Sequence, residues 1–194
     1  MTSESPQAPF EASLKQALQT LQSLCALERK LEQAAEWCIE ALDRGHKVLA
    51  CGNGGSASQA QHFVGELMGR YKGNRPALPA IALTADSTVL TCIGNDYRYD
   101  EVFSRQVQAL GRPGDVLVAF STSGNSPNVL TALKAARSSQ VKSIAFLGSE
   151  GGAASALADC SLIVAHQDTA RIQEGHLFLI HVLMEYVESE QQHE

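Results

Sequence analysis

The chain has 194 residues, a hydrophobic fraction of 44% and a formal net charge of −6 at pH 7. This length suits one globular domain with a core of ordinary size. The acidic balance argues against a nucleic-acid surface, because such binding depends mainly on Lys and Arg that neutralise phosphates. The longest apolar run, "HLFLIHVLMEYV", is interrupted by His181 and Glu185, so we expect no membrane span.

The polar start "MTSESPQAPF" has no signal-peptide pattern, so we expect residues 1–9 to form a flexible tail and residues 10–194 one domain. The five cysteines include no CxxC pair and several lie in apolar strings, which is typical of reduced core thiols. Both features favour a cytoplasmic protein.

The segment from Phe10 to Arg44 lacks Pro and Gly and repeats apolar residues at helical spacing. It predicts one long amphipathic helix, or two helices with a break near "CALER", ending before Gly45. Such a helix is longer than a five-stranded sheet can cover, so we expect part of its apolar stripe to pack on another subunit.

Short apolar runs alternate with helical segments through the rest of the chain. Strands are predicted at 47–52, 77–84, 115–122, 142–149 and 160–166, and helices at 56–72, 87–93, 101–110, 126–138 and 169–189. The runs are continuous and not alternating, as expected for strands covered on both faces. This order predicts a three-layer α/β sandwich around a five-stranded parallel sheet.

Two loops lie where strands end, at the sheet edge where ligands usually bind. The first, "GNGGSAS", carries glycines that let the backbone approach a ligand, with Ser56 near a helix start that favours an anion. It also fits a loose dinucleotide-binding pattern, but Asp86 lies too far along the chain to serve as the acidic partner.

The second loop, "STSGNSPN", offers hydroxyls around Gly124 at another junction of strand and helix. Two compact, hydroxyl-rich loops suit a phosphomonoester better than an extended pyrophosphate. The alternative is that the Ser and Asn residues only cap helices, although capping needs one such residue and not four.

His62 and Glu66 are spaced i and i+4, so they share one helix face. The final apolar helix adds a second polar set: Gln173, Glu174, His176 and His181. Imidazole and carboxylate groups bind Zn²⁺ and act as general acids and bases. Any single histidine could equally be a hydrogen-bonded core residue.

Six stretches together resemble the sedoheptulose 7-phosphate isomerases, or phosphoheptose isomerases, of the sugar isomerase (SIS) domain superfamily. They are "CGNGGSASQAQHFVGEL.GRY", "RPALPAIALT", "IGNDY", "EVFSRQVQALG.PGDVL", "STSGNSPNV" and "RIQEGH", in the same order from about residue 40 to 190. The resemblance implies an SIS-type sandwich, a homotetramer, and conversion of sedoheptulose 7-phosphate to D-glycero-D-manno-heptose 7-phosphate for lipopolysaccharide or other surface glycans.

The resemblance also implies a set of site residues, with metal ligands drawn from more than one subunit. Glu66 and His181 match the acid/base pair, and a single Zn²⁺ would be held by His62, Glu66, Gln173 and His181. The substrate-binding positions it implies are Asn53, Gly54, Gly55, Ser56, Glu66, Asn95, Asp96, Ser121, Thr122, Ser123, Ser126 and Gln173.

One position departs from the pattern. Some family members carry an aspartate directly before the arginine of "RIQE", whereas this chain has Ala170, with Asp168 nearby but out of register. The alternative function is a non-catalytic SIS regulator that binds a replication-initiator protein. The presence of both Glu66 and His181 favours the enzyme, because idle buried ionisable groups are costly.

Overall fold

The structure, a computed structural model, describes residues 9–191. The helices are α1 (Pro9–Ser23), α2 (Glu28–Asp43), α3 (Gly55–Met68), α4 (Ser87–Asp96), α5 (Ser104–Leu110), α6 (Pro127–Ser138) and α7 (Thr169–Gln191). The strands are β1 (Val48–Gly52), β2 (Ala80–Ala82), β3 (Val116–Ser121), β4 (Lys142–Gly148) and β5 (Cys160–Val164). Of the predicted tail, all but Pro9 lies outside the described residues.

All pairs of neighbouring strands are parallel, in the order β2-β1-β3-β4-β5. One core cluster lies between the sheet and α2, α3 and α7, and a second between the sheet and α5 and α6. The predicted three-layer α/β sandwich is therefore confirmed. Strands β1 and β3 are neighbours, with Gly52 opposite Phe120, so the loops that follow them leave the sheet side by side.

The strands at the two edges differ from the prediction that all five are covered on both faces. Strands β1 and β3 are buried throughout, whereas β2 and β5 contain half-buried residues because an edge strand has a neighbour on one side only. Strand β2 is also shorter than predicted. Pro79 directly before it has no N–H to donate to the ladder.

The first helical segment is two helices, α1 and α2, separated by the 3₁₀ helix Leu24–Leu27 in "CALER". Gly45 follows α2 with a φ of +75°, as expected for a helix stop. Helix α3 ends at Met68 and not at residue 72, as Gly69 closes its last turn onto Gly65. The segment predicted as helix over 101–110 begins as the 3₁₀ helix Tyr99–Glu101 before α5.

The cysteines divide into two groups, and none of the five forms a disulfide. Cys38, Cys51 and Cys160 are buried, and burial raises the pKa of the Cys38 and Cys51 thiols to about 12. The expectation of core cysteines is wrong for Cys25 and Cys92, whose side chains are exposed on helical surfaces.

Helix α7 is the longest described helix, and its polar residues interrupt its apolar surface. Within residues 9–191, no helix combines the length and the apolar character needed to cross a bilayer.

Candidate functional site

The first loop turns the chain tightly from β1 into α3. Gly54 has a φ of +54°, which residues with a side chain rarely adopt. The N–H groups of Ser56 and Ala57 bond to the carbonyls of Asn53 and Gly54 at 2.9 and 3.0 Å, and Ser56 is buried. Gly54 and Gly55 are exposed, and within residues 9–191 no atom beyond the chain neighbours of Gly54 lies within 4 Å of the place that a Cβ at Gly54 would occupy, so a ligand can approach the backbone closely there.

The second loop uses part of its hydroxyl set to hold its own shape. The Ser121 hydroxyl accepts the N–H of Gly124 at 3.1 Å and lies 3.3 Å from the Ser126 hydroxyl. The Ser123 hydroxyl accepts the N–H of Asn125 at 3.1 Å. Ser126 stands at the start of α6 but makes no side-chain capping bond. Helix capping therefore does not account for this loop.

A pair of asparagines joins the two loops. The amides of Asn53 and Asn128 bond to each other in both directions at 2.8 Å, and the Tyr99 hydroxyl donates to Asn53 Oδ1 at 3.2 Å. Sequence reasoning missed Asn128 and Tyr99. Asn128 closes the "STSGNSPN" stretch, so its position was visible, but its partner across the sheet edge was not.

Asn95 and Asp96 lie at the exposed end of α4. The Asn95 amide donates to Asp96 Oδ1 at 2.8 Å, and this bond, followed by that from the Cys92 thiol, lowers the pKa of the Asp96 carboxyl. Within residues 9–191 neither side chain bonds to either loop. Their contact with substrate stays a prediction.

Helices α3 and α7 bring three of the predicted acid/base and metal residues together. His62 Nε2 lies 2.8 Å from Glu66 Oε1, and His181 Nε2 lies 3.4 Å from His62 Nε2. One donor atom from each of these residues lies within 4.8 Å of the others. The His62 side chain is 37% exposed and that of Glu66 is 20% exposed, so the cluster is accessible from solvent.

The contact between His62 and Glu66 follows from their i, i+4 spacing, but the approach of His181 depends on tertiary packing. The Tyr71 ring stacks on the His181 ring, with centroids 5.5 Å apart and planes at 28°. Sequence reasoning missed Tyr71, although it closes the "GRY" stretch quoted for the resemblance.

Gln173 lies at the other end of the contact between α3 and α7. The side-chain amide of Gln173 fills the space that a Cβ at Gly55 would occupy. The backbone carbonyl of Gln173 accepts a hydrogen bond from Gln59 Nε2 at 3.2 Å. Gln173 therefore packs beside the first loop. It precedes His181 by eight residues, about 12 Å of helix rise, so ligation of one ion by both stays a prediction.

The other polar residues of α7 have structural roles. His176 is fully buried and its Nε2 donates to the Leu147 carbonyl at 3.0 Å. Burial, partly opposed by this hydrogen bond, lowers the pKa of His176 to about 4. The exposed Glu174 pairs with the largely buried Arg171 at 2.5 Å. The polar set of α7 therefore does not act as one cluster.

Ala170 and Asp168 lie at the start of α7. The Asp168 carboxylate accepts the N–H of Ala170 at 2.8 Å, as a residue that caps a helix does. This local bond explains the presence of Asp168 without a catalytic role.

The expectation that the metal ligands come from more than one subunit stays a prediction, although three of the four expected ligands lie together in one chain. His62, Glu66 and His181 meet within a single chain, because α3 and α7 pack side by side on one face of the sheet. A partner subunit is not needed to assemble these three groups.

Comparison with known proteins identifies relatives of this chain. Residues 10–148 match the SIS domain family. The phosphoheptose isomerase of Aliarcobacter butzleri is 50% identical over 167 residues, covering 86% of this chain and 88% of that protein. That of Shewanella loihica is 52% identical over 166 residues, covering 84% of each. The structure of a phosphoheptose isomerase from Neisseria gonorrhoeae has a TM-score of 0.90 and 46% identity, covering 95% of this chain and 100% of that one.

Proposed function

Because this chain belongs to the phosphoheptose isomerases of the SIS domain family, we propose that it interconverts sedoheptulose 7-phosphate and D-glycero-D-manno-heptose 7-phosphate. This is an aldose–ketose isomerisation, and its product would supply heptose precursors for lipopolysaccharide or other surface glycans. The relatives compared above are isomerases, and no observation favours the alternative of a non-catalytic regulator of replication initiation.

One observation carries the proposal: the two loops and the acid/base cluster lie at opposite ends of one surface along α3. Gly55 faces Gln173 at the loop end, and His62 faces His181 seven residues further along α3, about 10 Å of helix rise. The ketose has its reacting carbonyl at carbon 2 and its phosphate on carbon 7. A substrate with its charge and its reacting atoms at opposite ends suits this separation.

In the proposed reaction, Glu66 moves the proton on carbon and His181 serves the oxygens. Glu66 bonds to His62 through Oε1, so we assign proton transfer to Oε2. Oε2 takes a proton from carbon 1 while a His181 ring nitrogen gives one to the oxygen on carbon 2, which forms an enediol. Return of the first proton to carbon 2, with loss of the proton from the oxygen on carbon 1, completes the aldose.

The histidine and glutamate cluster fits a divalent metal ion. In tetrahedral zinc sites with Zn–N distances of about 2.0–2.1 Å, two ligand nitrogens lie about 3.4 Å apart. The two Nε2 atoms of His62 and His181 are separated by 3.4 Å. His62 Nε2 also lies 2.8 Å from Glu66 Oε1, so donor atoms of all three residues lie together.

We therefore propose that His62, Glu66 and His181 hold one Zn²⁺, with Gln173 as a further ligand. When bound, the ion would polarise the substrate carbonyl as a Lewis acid. In the metal-free site, His62, which the proton transfers do not use, orients the Glu66 carboxylate through the 2.8 Å contact.

The substrate phosphate would lie against the second loop. Thr122 is half-buried there, while the hydroxyls of Ser121, Ser123 and Ser126 already bond within the loop. Ser56 would lie near the phosphate, and the sugar hydroxyls would face the rest of the proposed set: Asn53, Gly54, Gly55, Asn95, Asp96 and Gln173.

A homotetramer is part of the proposal because α1 leaves a large apolar surface uncovered. Phe10, Leu14 and Leu18 are 77%, 48% and 53% exposed, and Phe178 on α7 is 46% exposed. Exposed apolar residues in such number along one region mark an interface with another protein surface. Sedimentation of the purified protein tests this: a monomer at micromolar concentration would contradict it.

Reduced cysteines further support the cytoplasm as the location of this protein.

The test of the proposed activity is NMR of the zinc-loaded protein incubated with sedoheptulose 7-phosphate. We expect the aldoheptose 7-phosphate to form, and its formation to stop in Glu66→Gln and His181→Gln. If the folded, zinc-loaded wild type produces none, the isomerase proposal is wrong.

A further inference from the structure

A buried ion pair lies beside the acid/base cluster, where the mechanism above does not use it. Arg75 and Glu188 bury their side chains to 4% and 7% exposure, with Arg75 Nε 3.7 Å from Glu188 Oε1. Burying two charges is costly unless both are well bonded. Their partners therefore indicate what the pair does.

The Glu188 carboxylate bonds to three consecutive backbone N–H groups in the segment after α3. It accepts from Tyr71 at 2.9 Å, from Lys72 at 3.0 and 3.1 Å, and from Gly73 at 2.9 Å. Burial raises the pKa of this carboxyl, but the three N–H groups and Arg75 outweigh that effect and lower it. Glu188 thus stays ionised and fixes the backbone of Tyr71.

Arg75 holds the end of α3 in the same way. Its guanidinium donates to the carbonyls of Glu66 at 2.5 Å and Leu67 at 2.8 Å. These are carbonyls of the last helical turn, which a cation stabilises. The pair therefore ties α7, the end of α3 and residues 69–75 into one unit, which we name the Arg75–Glu188 clamp.

The clamp contacts the acid/base cluster at two residues: His181, through the Tyr71 ring, and Glu66, through its backbone. It fixes Tyr71, whose ring stacks on His181, and it holds the backbone of Glu66. Glu188 lies seven residues after His181 on α7, so the two share one helix face. Within residues 9–191, neither Arg75 nor Glu188 bonds to a side chain of His62, Glu66 or His181. Their one contact with these three residues is the bond from the Arg75 guanidinium to the backbone carbonyl of Glu66.

We propose that Arg75 and Glu188 are positioning residues: they hold the Tyr71 ring against His181 and so set the orientation of the His181 imidazole. This inference rests on the proposed function for its kinetic consequence, but its structural consequence can be measured without activity. Groups that orient metal or catalytic ligands in this way typically affect activity about 10–100-fold.

The test compares Glu188→Gln with Glu185→Gln. Glu185 lies on the same helix and contacts the same segment, but through an exposed ion pair with the Lys72 side chain at 2.5 Å. Exposed pairs contribute little, so Glu185→Gln should behave as wild type. In Glu188→Gln a neutral amide replaces the carboxylate, and its NH₂ group cannot accept from the backbone N–H groups.

The first readout is the NMR spectrum of the metal-free protein labelled with ¹³C at histidine Cε1. The stacked Tyr71 ring should displace the His181 signal through its ring current, and Glu188→Gln and Tyr71→Leu should both remove that displacement. Glu185→Gln should keep it. The His181 signal is assigned by its loss in His181→Gln.

The second readout is turnover. We expect kcat to fall about tenfold in Glu188→Gln and in Tyr71→Leu, with KM changed less than about twofold. Tyr71→Leu leaves the clamp intact, so it tests the ring even if Glu188→Gln folds poorly. A His181 signal unchanged in both variants overturns the inference, as does equal loss of kcat in Glu185→Gln. If the wild type itself has no activity, the proposed function fails, while the His181 signal still decides the clamp.

Discussion

Two histidines five residues apart on α7 have opposite surroundings. His176 points into the core, with its ring near those of Phe120 and Phe146 and its Nε2 bonded to the Leu147 carbonyl. His181 faces α3, beside His62 and Tyr71. Five residues correspond to about 140° of rotation around a helix, so the two cannot share a face. Residue type alone therefore does not make a catalytic histidine, and its neighbours decide its chemistry.

The largest difference that we expect between the two is in activity. His181→Gln should lower kcat about 1,000-fold, because it removes both a proton carrier and a ligand donor. Its unfolding temperature should stay close to that of wild type, since His181 is only half-buried. Steady-state kinetics on the sugar phosphate, with circular dichroism as the folding control, measures this. A kcat within tenfold of wild type would mean that His181 is not part of the pair.

The second difference concerns pH. The pKa of His176 falls from 6.5 to about 4 on folding, so between these values the unfolded chain binds the proton more readily. The neutral His176 ring makes its full contribution to the free energy of unfolding above pH 6.5. This contribution falls by up to about 3 kcal/mol as the pH is lowered toward 4. Urea unfolding at several pH values should show this loss in wild type. His176→Leu should lack it, and parallel curves for the two proteins would contradict the assignment.

A third expected difference between His176 and His181 is their effect on the stabilisation of the protein by zinc. An ion that binds only the folded protein at a free concentration 100 times its Kd adds about 2.7 kcal/mol to the free energy of unfolding. Thermal unfolding with and without zinc should show this gain in wild type and in His176→Leu, and little gain in His181→Gln. Equal gains in all three proteins would place the ion elsewhere.

The smallest effect is the stability cost of His176→Leu at neutral pH. The Leu147 carbonyl loses its donor, but the substitution also removes the buried Nδ1, which has no partner. These effects oppose each other, so we expect a net loss of about 1 kcal/mol and unchanged kcat per folded molecule. A large loss of kcat would link the core histidine to the site.

The sequence predicted those features that depend on local geometry. The i, i+4 spacing of His62 and Glu66 predicts their contact, and the apolar runs predict five parallel strands. The break at "CALER" and the stop at Gly45 were also visible. Each of these depends on residues close to one another in the chain.

Features that depend on packing between distant segments could not be predicted from local pattern. Periodicity shows that His176 and His181 lie on different faces of α7, but not which face meets α3. The path of the segment that follows α3 has a similar cause. The N–H groups of residues 71–73 bond to Glu188, more than one hundred residues later, and no local signal marks that contact.

The most direct test of the central claim is isomerisation in D₂O. If Glu66 exchanges its proton with solvent during transfer from carbon 1 to carbon 2, wild type should form aldoheptose 7-phosphate that carries deuterium at carbon 2. Glu66→Gln should form almost no product. Original hydrogen at carbon 2 of the wild-type product would mean that Glu66 returns the proton before it exchanges with solvent, whereas undiminished turnover by Glu66→Gln would contradict the account.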